Sequence, residues 1–223
     1  TQQWAVDAYL LTLSSLILFA GSVSDAFGRV LVLRIGLIGF GIASIGVGLA
    51  PDPVVLIIAR ALQGAAGAFL VPSSLALITS LLNGPAQARA IGQWTAWTTG
   101  ANLAGPLIGG LFVDLLSWRF AFLVNILPIA VTFVLLTRLG DVDRRRDDAH
   151  IDLVSAALCT LGLGGIVFAL IEQPNLGWGH PAIWMPLAAG ILLFTAFLLR
   201  QRTVRSPILP LGIFRVRNFW TGN

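Results

Sequence analysis

The sequence has no lysine, and it has a single cysteine, a single tyrosine and a single methionine. Only 11% of its 223 residues are charged, whereas soluble domains carry about 25% charged residues, so a water-exposed surface could not be covered. The lone Cys159 excludes a disulfide within the chain. The absence of lysine excludes a Schiff-base attachment of retinal, and with it a seven-helix retinal protein.

Long apolar runs take the place of the missing charge. Hydrophobic residues make up 57% of the chain, and a membrane-spanning helix needs about 17–25 mostly apolar residues. In lipid every backbone amide must be paired within its own segment, so these runs are predicted to be helices. The sequence therefore predicts an all-α polytopic membrane protein with about seven spans, near residues 4–22, 32–50, 54–80, 90–113, 119–137, 152–171 and 182–199.

Arginine is distributed unevenly over the connectors between these spans. One alternate set holds twelve arginines and the other holds only Arg119, while the fourteenth, Arg60, lies within a span. The twelve are Arg29, Arg34, Arg89, Arg138, Arg144, Arg145, Arg146, Arg200, Arg202, Arg205, Arg215 and Arg217. The positive-inside rule then predicts an external N-terminus and a cytoplasmic C-terminus. Because the arginines fill short gaps near lipid, we expect contact with the bilayer and no nucleic-acid partner.

The first connector reads GSVSDAFGRVLVL. Asp25 and Arg29 stand four residues apart, a spacing that pairs them on one helix face, and Gly28 allows an abrupt helix end. An ordinary helix-end ion pair is the alternative interpretation. The segment resembles a signature of the major facilitator superfamily through Gly21, Asp25, Gly28 and Arg29, in which it would form part of a conformational switch.

Two more segments strengthen this resemblance. LIIARALQGAAGA (56–68) resembles the fourth-helix motif of the superfamily, and TGANLAGPLIGG (99–110) resembles the fifth-helix motif that is typical of its antiporters. The matching residues of the second segment are Ala101 (in place of the first glycine of the motif), Gly105, Pro106, Gly109 and Gly110. WAVDAYLL (4–11), SWRFAFLVN (117–125), DDAHIDLVSA (147–156) and SPILPLGIFRVRNF (206–219) resemble the branch of 14-helix drug:proton antiporters.

The resemblance implies a domain organisation. Helices two to eight of the family fold would be present, and the first and the last six would be missing, so a fragment is expected. Residues 1–137 would form the N-terminal bundle without its first helix, and 138–150 a cytoplasmic connector. Residues 151–199 would be two additional linker helices, and 200–223 a cytoplasmic segment leading into the C-terminal bundle.

The segment TTGANLAGPLIGG (98–110) places four glycines and a proline inside one apolar run. Small residues let membrane helices approach closely, and two ridges follow a four-residue spacing: Gly92, Ala96, Gly100 and Ala104, and Ala101, Gly105 and Gly109. Pro106 removes one helical hydrogen bond and is expected to bend the helix. The interpretation is a smooth helix that moves against a partner; the alternative is passive packing.

Four polar residues inside the spans are candidate members of a proton or substrate pathway. Arg60 lies roughly 9 Å from one end of its span, where an arginine needs a cavity or a partner, or else extends toward water. Gln63 follows it at i+3 on the same face. Asp7 would bind a proton or a cationic substrate, or simply favour the helix dipole near an N-terminus. Asn102 would line the cavity or form local hydrogen bonds.

These features favour a secondary active transporter that exports lipophilic, cationic drug-like molecules in exchange for protons by alternating access. The expected protein is monomeric, lies in the inner membrane of a bacterial cell, and uses the proton gradient with no cofactor. A family member that imports another small solute is the alternative. No nucleophile–base pair or metal-ligand cluster stands out in the sequence, so neither an enzyme nor a metal site is predicted.

Overall fold

A computed structural model describes residues 2–139, 152–204 and 208–209. The described chain is helical, and it contains no strand. Its helices are α1 (Gln2–Phe27), α2 (Arg29–Gly48), α3 (Pro53–Leu81), α4 (Gly84–Leu115), α5 (Phe120–Leu123), α6 (Ile126–Arg138), α7 (Leu153–Leu176) and α8 (Pro181–Arg200). Because α5 is a single turn that leads into α6, seven long helical segments occur where seven were predicted. The all-α membrane fold is confirmed.

Six of these segments within the described residues are long and apolar enough to cross a membrane: α1, α2, α3, α5 with α6, α7 and α8. The remaining segment, α4, is 32 residues long, but polar residues such as Gln87, Arg89 and Gln93 dilute its apolar character. The predicted crossing at 90–113 falls within α4 and stays a prediction. The arginine-rich loop at 144–148 and the tail beyond 209 lie outside the described residues.

The end of α7 differs from the prediction. The span was expected to stop at residue 171, with Glu172 in a connector, but α7 continues to Leu176 and buries Glu172, whose exposed fraction is 8%. Pro174 does not stop this helix, and the chain turns instead at Gly177, whose φ of 74° favours glycine. The helix therefore extends five residues beyond the predicted end of the span and includes Pro174, which membrane helices tolerate.

Glycines set the spacing between neighbouring helices. Gly64 of α3 lies so close to α1 that an added Cβ would overlap the carbonyl oxygen of Tyr9 and the hydroxyl of Thr12. In the α7–α8 hairpin, a Cβ on Gly190 would lie 2.8 Å from the carbonyl oxygen of Gly162. Close backbone approach is how helices gain packing energy in lipid, where no hydrophobic force draws them together. These glycines therefore fix α1 on α3 and α7 on α8.

A small apolar core holds α2, α3 and α6 together at the end of the bundle near Arg29. It consists of Val30, Leu33, Leu37, Leu77 and Leu136. Beside it, Arg34 Nη2 donates a 2.7 Å hydrogen bond to the carbonyl oxygen of Leu136, in the last turn of α6. A cation there also complements the negative end of the α6 dipole. This contact ties α2 to α6 without a carboxylate.

An ion pair closes the open end of the α7–α8 hairpin. Arg200 Nε and Nη2 donate to the two carboxylate oxygens of Asp152 at 2.9 and 3.2 Å, and Gln201 Nε2 donates to Ser155 Oγ at 2.9 Å. Asp152 also caps α7 by accepting from the backbone amides of Val154 and Ser155. The hydrogen bond from Arg200, with help from Ser155, lowers the pKa of the Asp152 carboxyl from 3.8 to about 2.

We predict that the Asp152–Arg200 ion pair makes the stability of the α7–α8 hairpin depend on pH between about pH 4 and about pH 2. A carboxyl with a lowered folded-state pKa stabilises the fold above its unfolded value near 4, and that contribution is lost as the pH falls toward about 2. Arg200→Gln should therefore lower the thermal unfolding midpoint at neutral pH and reduce its change between pH 5 and pH 3. A variant whose acid sensitivity in this range equals that of the unmodified protein would contradict the assignment.

Candidate polar site between the first three helices

A polar network crosses the interface of α1, α2 and α3. Arg60 of α3 donates from Nε to the carbonyl oxygen of Ala5 in α1 at 2.7 Å, and from Nη1 to Gln63 Oε1 at 2.5 Å. Gln63 in turn donates from Nε2 to Ser44 Oγ of α2 at 2.7 Å. The exposed fractions of Gln63 and Ser44 are 1% and 0%. Three helices are thus joined through one arginine and one amide.

Aromatic rings surround the same guanidinium. Arg60 Cζ lies 4.3 Å from the ring centroid of Tyr9 and 5.3 Å from that of Phe122. Both distances permit cation–π attraction, which strengthens when the cation is desolvated. All the partners of Arg60 in the described chain are neutral, and no carboxylate there lies within ion-pair distance of it. The hydrogen bonds to Ala5 and Gln63 point the guanidinium into the helix interface, against the alternative that it extends toward water.

Asp7 follows Ala5, whose carbonyl oxygen accepts from Arg60, by two residues in α1. Its exposed fraction is 9%, and its Oδ2 atom is buried with no hydrogen-bond partner among the described residues. Asp7 lies beyond the first turn of α1, which holds no acidic residue, and the dipole effect fades within that turn. The helix-dipole interpretation of Asp7 therefore has little physical support. A buried carboxylate oxygen without a donor is an available site for a proton or a cationic group.

Asn102 lies apart from this network. It is exposed on α4, as are Ala101, Gly105 and Pro106, and no contact joins it to Arg60. A Cβ built on Gly105, Gly109 or Gly110 would meet no atom within 4 Å in the described part of the chain. Helix α4 is attached to α3 through a 3.2 Å hydrogen bond from Trp94 Nε1 to Ser74 Oγ. The close helix contact expected for these glycines stays a prediction.

The predicted switch motif forms the turn between α1 and α2. Arg29 Nη2 lies 3.2 Å from Asp25 Oδ1, and both side chains are partly open to solvent. Gly28 has a φ of 101°, which an L-residue rarely adopts, so only glycine makes this one-residue turn without strain. Gly21 faces Pro72 of α3 at ordinary contact distance. The residue types of the motif thus fit the local geometry, while its role in switching stays a prediction.

Three residues of the network around Arg60 were missed by the sequence interpretation: Tyr9 and Phe122, whose rings face the guanidinium, and Ser44, which bonds to Gln63. They belong to segments far apart in the chain, so no local spacing links them to Arg60. A weak signal was available for Ser44, because it is the one hydroxyl residue in the apolar helix α2. No group of three His, Cys, Asp or Glu side chains that could hold a metal occurs among the described residues.

The model of the Major Facilitator Superfamily matches residues 1–216. The chain is 41% identical over 215 residues to the puromycin resistance protein pur8 of Streptomyces alboniger. This alignment covers 96% of the chain and 42% of that protein. It is 35% identical over 222 residues to the methylenomycin A resistance protein of Bacillus subtilis (strain 168), covering 97% of the chain and 46% of the relative.

A third relative is the cephamycin export protein CmcT of Amycolatopsis lactamdurans, at 36% identity over 226 residues, covering 99% of the chain and 46% of that protein. The chain therefore spans less than half the length of these relatives. Their names describe antibiotic resistance or export, and the family consists of transporters, not enzymes. With six candidate membrane spans and a family match along nearly its whole length, the chain belongs to the major facilitator superfamily of multi-pass membrane transporters.

Proposed function

We propose that the chain is part of a secondary exporter that moves lipophilic, cationic drug-like molecules out of a bacterial cell in exchange for protons. Two polar features inside the bundle carry the proposal: the Arg60 guanidinium, whose hydrogen-bond partners are neutral, and the buried Oδ2 atom of Asp7, which has no hydrogen-bond partner among the described residues. Charged groups inside a membrane are costly, so they mark ion and substrate pathways. The names of the relatives favour antibiotics or similar compounds as substrates.

In the proposed cycle, Asp7 alternates between a proton and the cationic group of the substrate. Arg60 would keep a fixed positive charge against α1, the helix that carries Asp7. This charge would disfavour simultaneous binding of a proton and a cation. Bundles of helices rocking about the site would expose it to each face in turn. The uneven distribution of arginine supports the orientation with Asp7 and Arg60 nearer the external surface.

Transport in inverted membrane vesicles tests the proposed direction and coupling. Vesicles made from cells that express the intact transporter should accumulate a fluorescent lipophilic cation when the lumen is acidified, and should release protons as they do so. Collapse of the proton gradient should stop accumulation. Accumulation that persists without a proton gradient would contradict the exchange, and cation movement only in the opposite direction would favour an importer.

Arg60→Ala should abolish proton-coupled accumulation while the amount of protein in the membrane stays close to normal, because the substitution removes the fixed charge. Arg119→Ala is a matched control, since Arg119 also donates to a carbonyl oxygen, that of Ala50, and lies 4.7 Å from the ring centroid of Trp118. Coupled transport in both variants would refute a role for Arg60, and loss in both would indicate a general need for arginine in folding.

Asp7→Asn should reduce transport of cationic substrates selectively. The amide keeps the shape of the side chain, but it removes both the proton site and the attraction for a cation. The measurement is the transport rate for a cationic and a neutral substrate of similar size. Equal losses for the two substrates would assign Asp7 a folding role.

Gly105→Val should leave insertion intact but shift the transporter toward one face-open state. The described chain leaves room for a side chain at Gly105, so harm can arise only against a partner segment, where overpacking costs about 1–3 kcal/mol. Gly105→Ala should be milder. Cysteine accessibility from each side of the membrane measures the two populations.

The matched comparison is Gly64→Ala, which should impair folding outright because its Cβ would overlap α1. If Gly105→Val leaves both cysteine accessibility and transport unchanged, the glycines of α4 serve only for passive packing.

A further inference from the structure

The Gln63 amide can face Arg60 in only one orientation. A guanidinium donates hydrogen bonds and accepts none, so it requires the carbonyl end of the amide, Oε1. The Nε2 end must then find an acceptor on the opposite side, in a position where the side chain is 1% exposed and water is scarce. Ser44 Oγ supplies that acceptor at 2.7 Å.

Without the Ser44 hydroxyl, the amide would lose the contact that distinguishes its two ends. A buried Nε2 without an acceptor carries a desolvation penalty, which favours rotation of the amide or a shift of the whole side chain. Either movement takes Oε1 away from Arg60 Nη1, or turns a donor toward a donor. The direction of the guanidinium then depends on the Ala5 carbonyl and the two aromatic rings alone.

We propose that Ser44 is a positioning residue for transport, which acts through Gln63 to hold the Arg60 guanidinium in its working orientation. This inference rests on the proposed role of Arg60 in proton exchange. Ser44 does not itself touch Arg60 and lies on a different helix, so α2 is thereby linked to the charge site between α1 and α3. Movement of α2 relative to α3 would therefore change the orientation of the Arg60 guanidinium through Gln63.

A second fully buried serine, Ser73, provides a comparison for the role proposed for Ser44. Ser73 is as fully buried as Ser44, but its hydroxyl has no hydrogen-bond partner among the described residues. Burial of a serine in this bundle therefore does not imply a network contact. The chain thus supplies an internal control in which the same atom is deleted at equal depth without disturbing an amide.

The test compares Ser44→Ala, Ser44→Thr and Ser73→Ala in the intact transporter. Loss of one buried hydrogen bond corresponds to about a three- to tenfold change in an equilibrium. The maximal exchange rate of Ser44→Ala should fall by about that factor, while the substrate KM changes less than twofold, because Ser44 contacts no substrate. Ser44→Thr keeps the hydroxyl and should restore the rate, and Ser73→Ala should match the unmodified protein.

A stability cycle tests the orientation argument independently of transport. Gln63→Met removes the amide that Ser44 orients while keeping a side chain of similar length. Ser44→Ala should lower the unfolding temperature in the unmodified protein, but it should lower it by less than half as much in the Gln63→Met background, where the hydroxyl has no amide to accept from. Equal decreases in both backgrounds would overturn the positioning role.

The outcome separates this inference from the proposed function. If Arg60→Ala abolishes coupled exchange while Ser44→Ala behaves like Ser73→Ala, the Ser44 inference is wrong and the exchange mechanism stands. If Arg60→Ala retains coupled exchange, the proposed role of Arg60 fails, and the inference that depends on it fails with it. A rate that falls in Ser44→Ala and recovers in Ser44→Thr supports both.

Discussion

The cost of holding a guanidinium inside a membrane governs the arrangement of α1, α2 and α3. An arginine at the centre of a spanning helix costs about 2.5–3.5 kcal/mol on insertion scales, and the side chain must recover this through partners or by reaching water. Here Arg60 recovers it with a backbone carbonyl, an amide and two aromatic rings. These partners stabilise the cation without cancelling its charge.

The helix packing is what makes this solution possible. Gly64 lets the backbone of α3 approach α1 so closely that a methyl group would not fit, and this approach brings the carbonyl of Ala5 within reach of Arg60. Ser44 and Gln63 then connect α2 through hydrogen bonds rather than through apolar contacts. The small residue Gly64 and the charged residue Arg60 therefore depend on the same close contact between α1 and α3. A bulkier interface would separate the helices and leave the cation unsatisfied.

The sequence predicted the helical spans well because lipid leaves the backbone few alternatives. It also singled out Arg60 and Gln63 as residues of one helix face, because a charged residue inside an apolar run and an i+3 spacing can both be recognised in a sequence. It could not identify Ser44 or Phe122, whose contacts depend on how helices far apart in the chain face one another. Helix α7 runs past the predicted end at residue 171 to Leu176 and includes Pro174, which membrane helices tolerate. The role predicted for the glycines of α4 stays a prediction, because it depends on a surface that the described chain leaves open.

Arg60 stays inside the helix interface instead of reaching the membrane surface. Nitrogen NMR of isotope-labelled arginine in lipid bilayers tests it directly, with the Arg60 signal assigned by comparison with Arg60→Gln. A water-soluble paramagnetic agent broadens guanidinium signals at the surface and spares those inside. The Arg60 signal should stay sharp and carry a ring-current shift from the Tyr9 face. Broadening of Arg60 equal to that of Arg29 would contradict it.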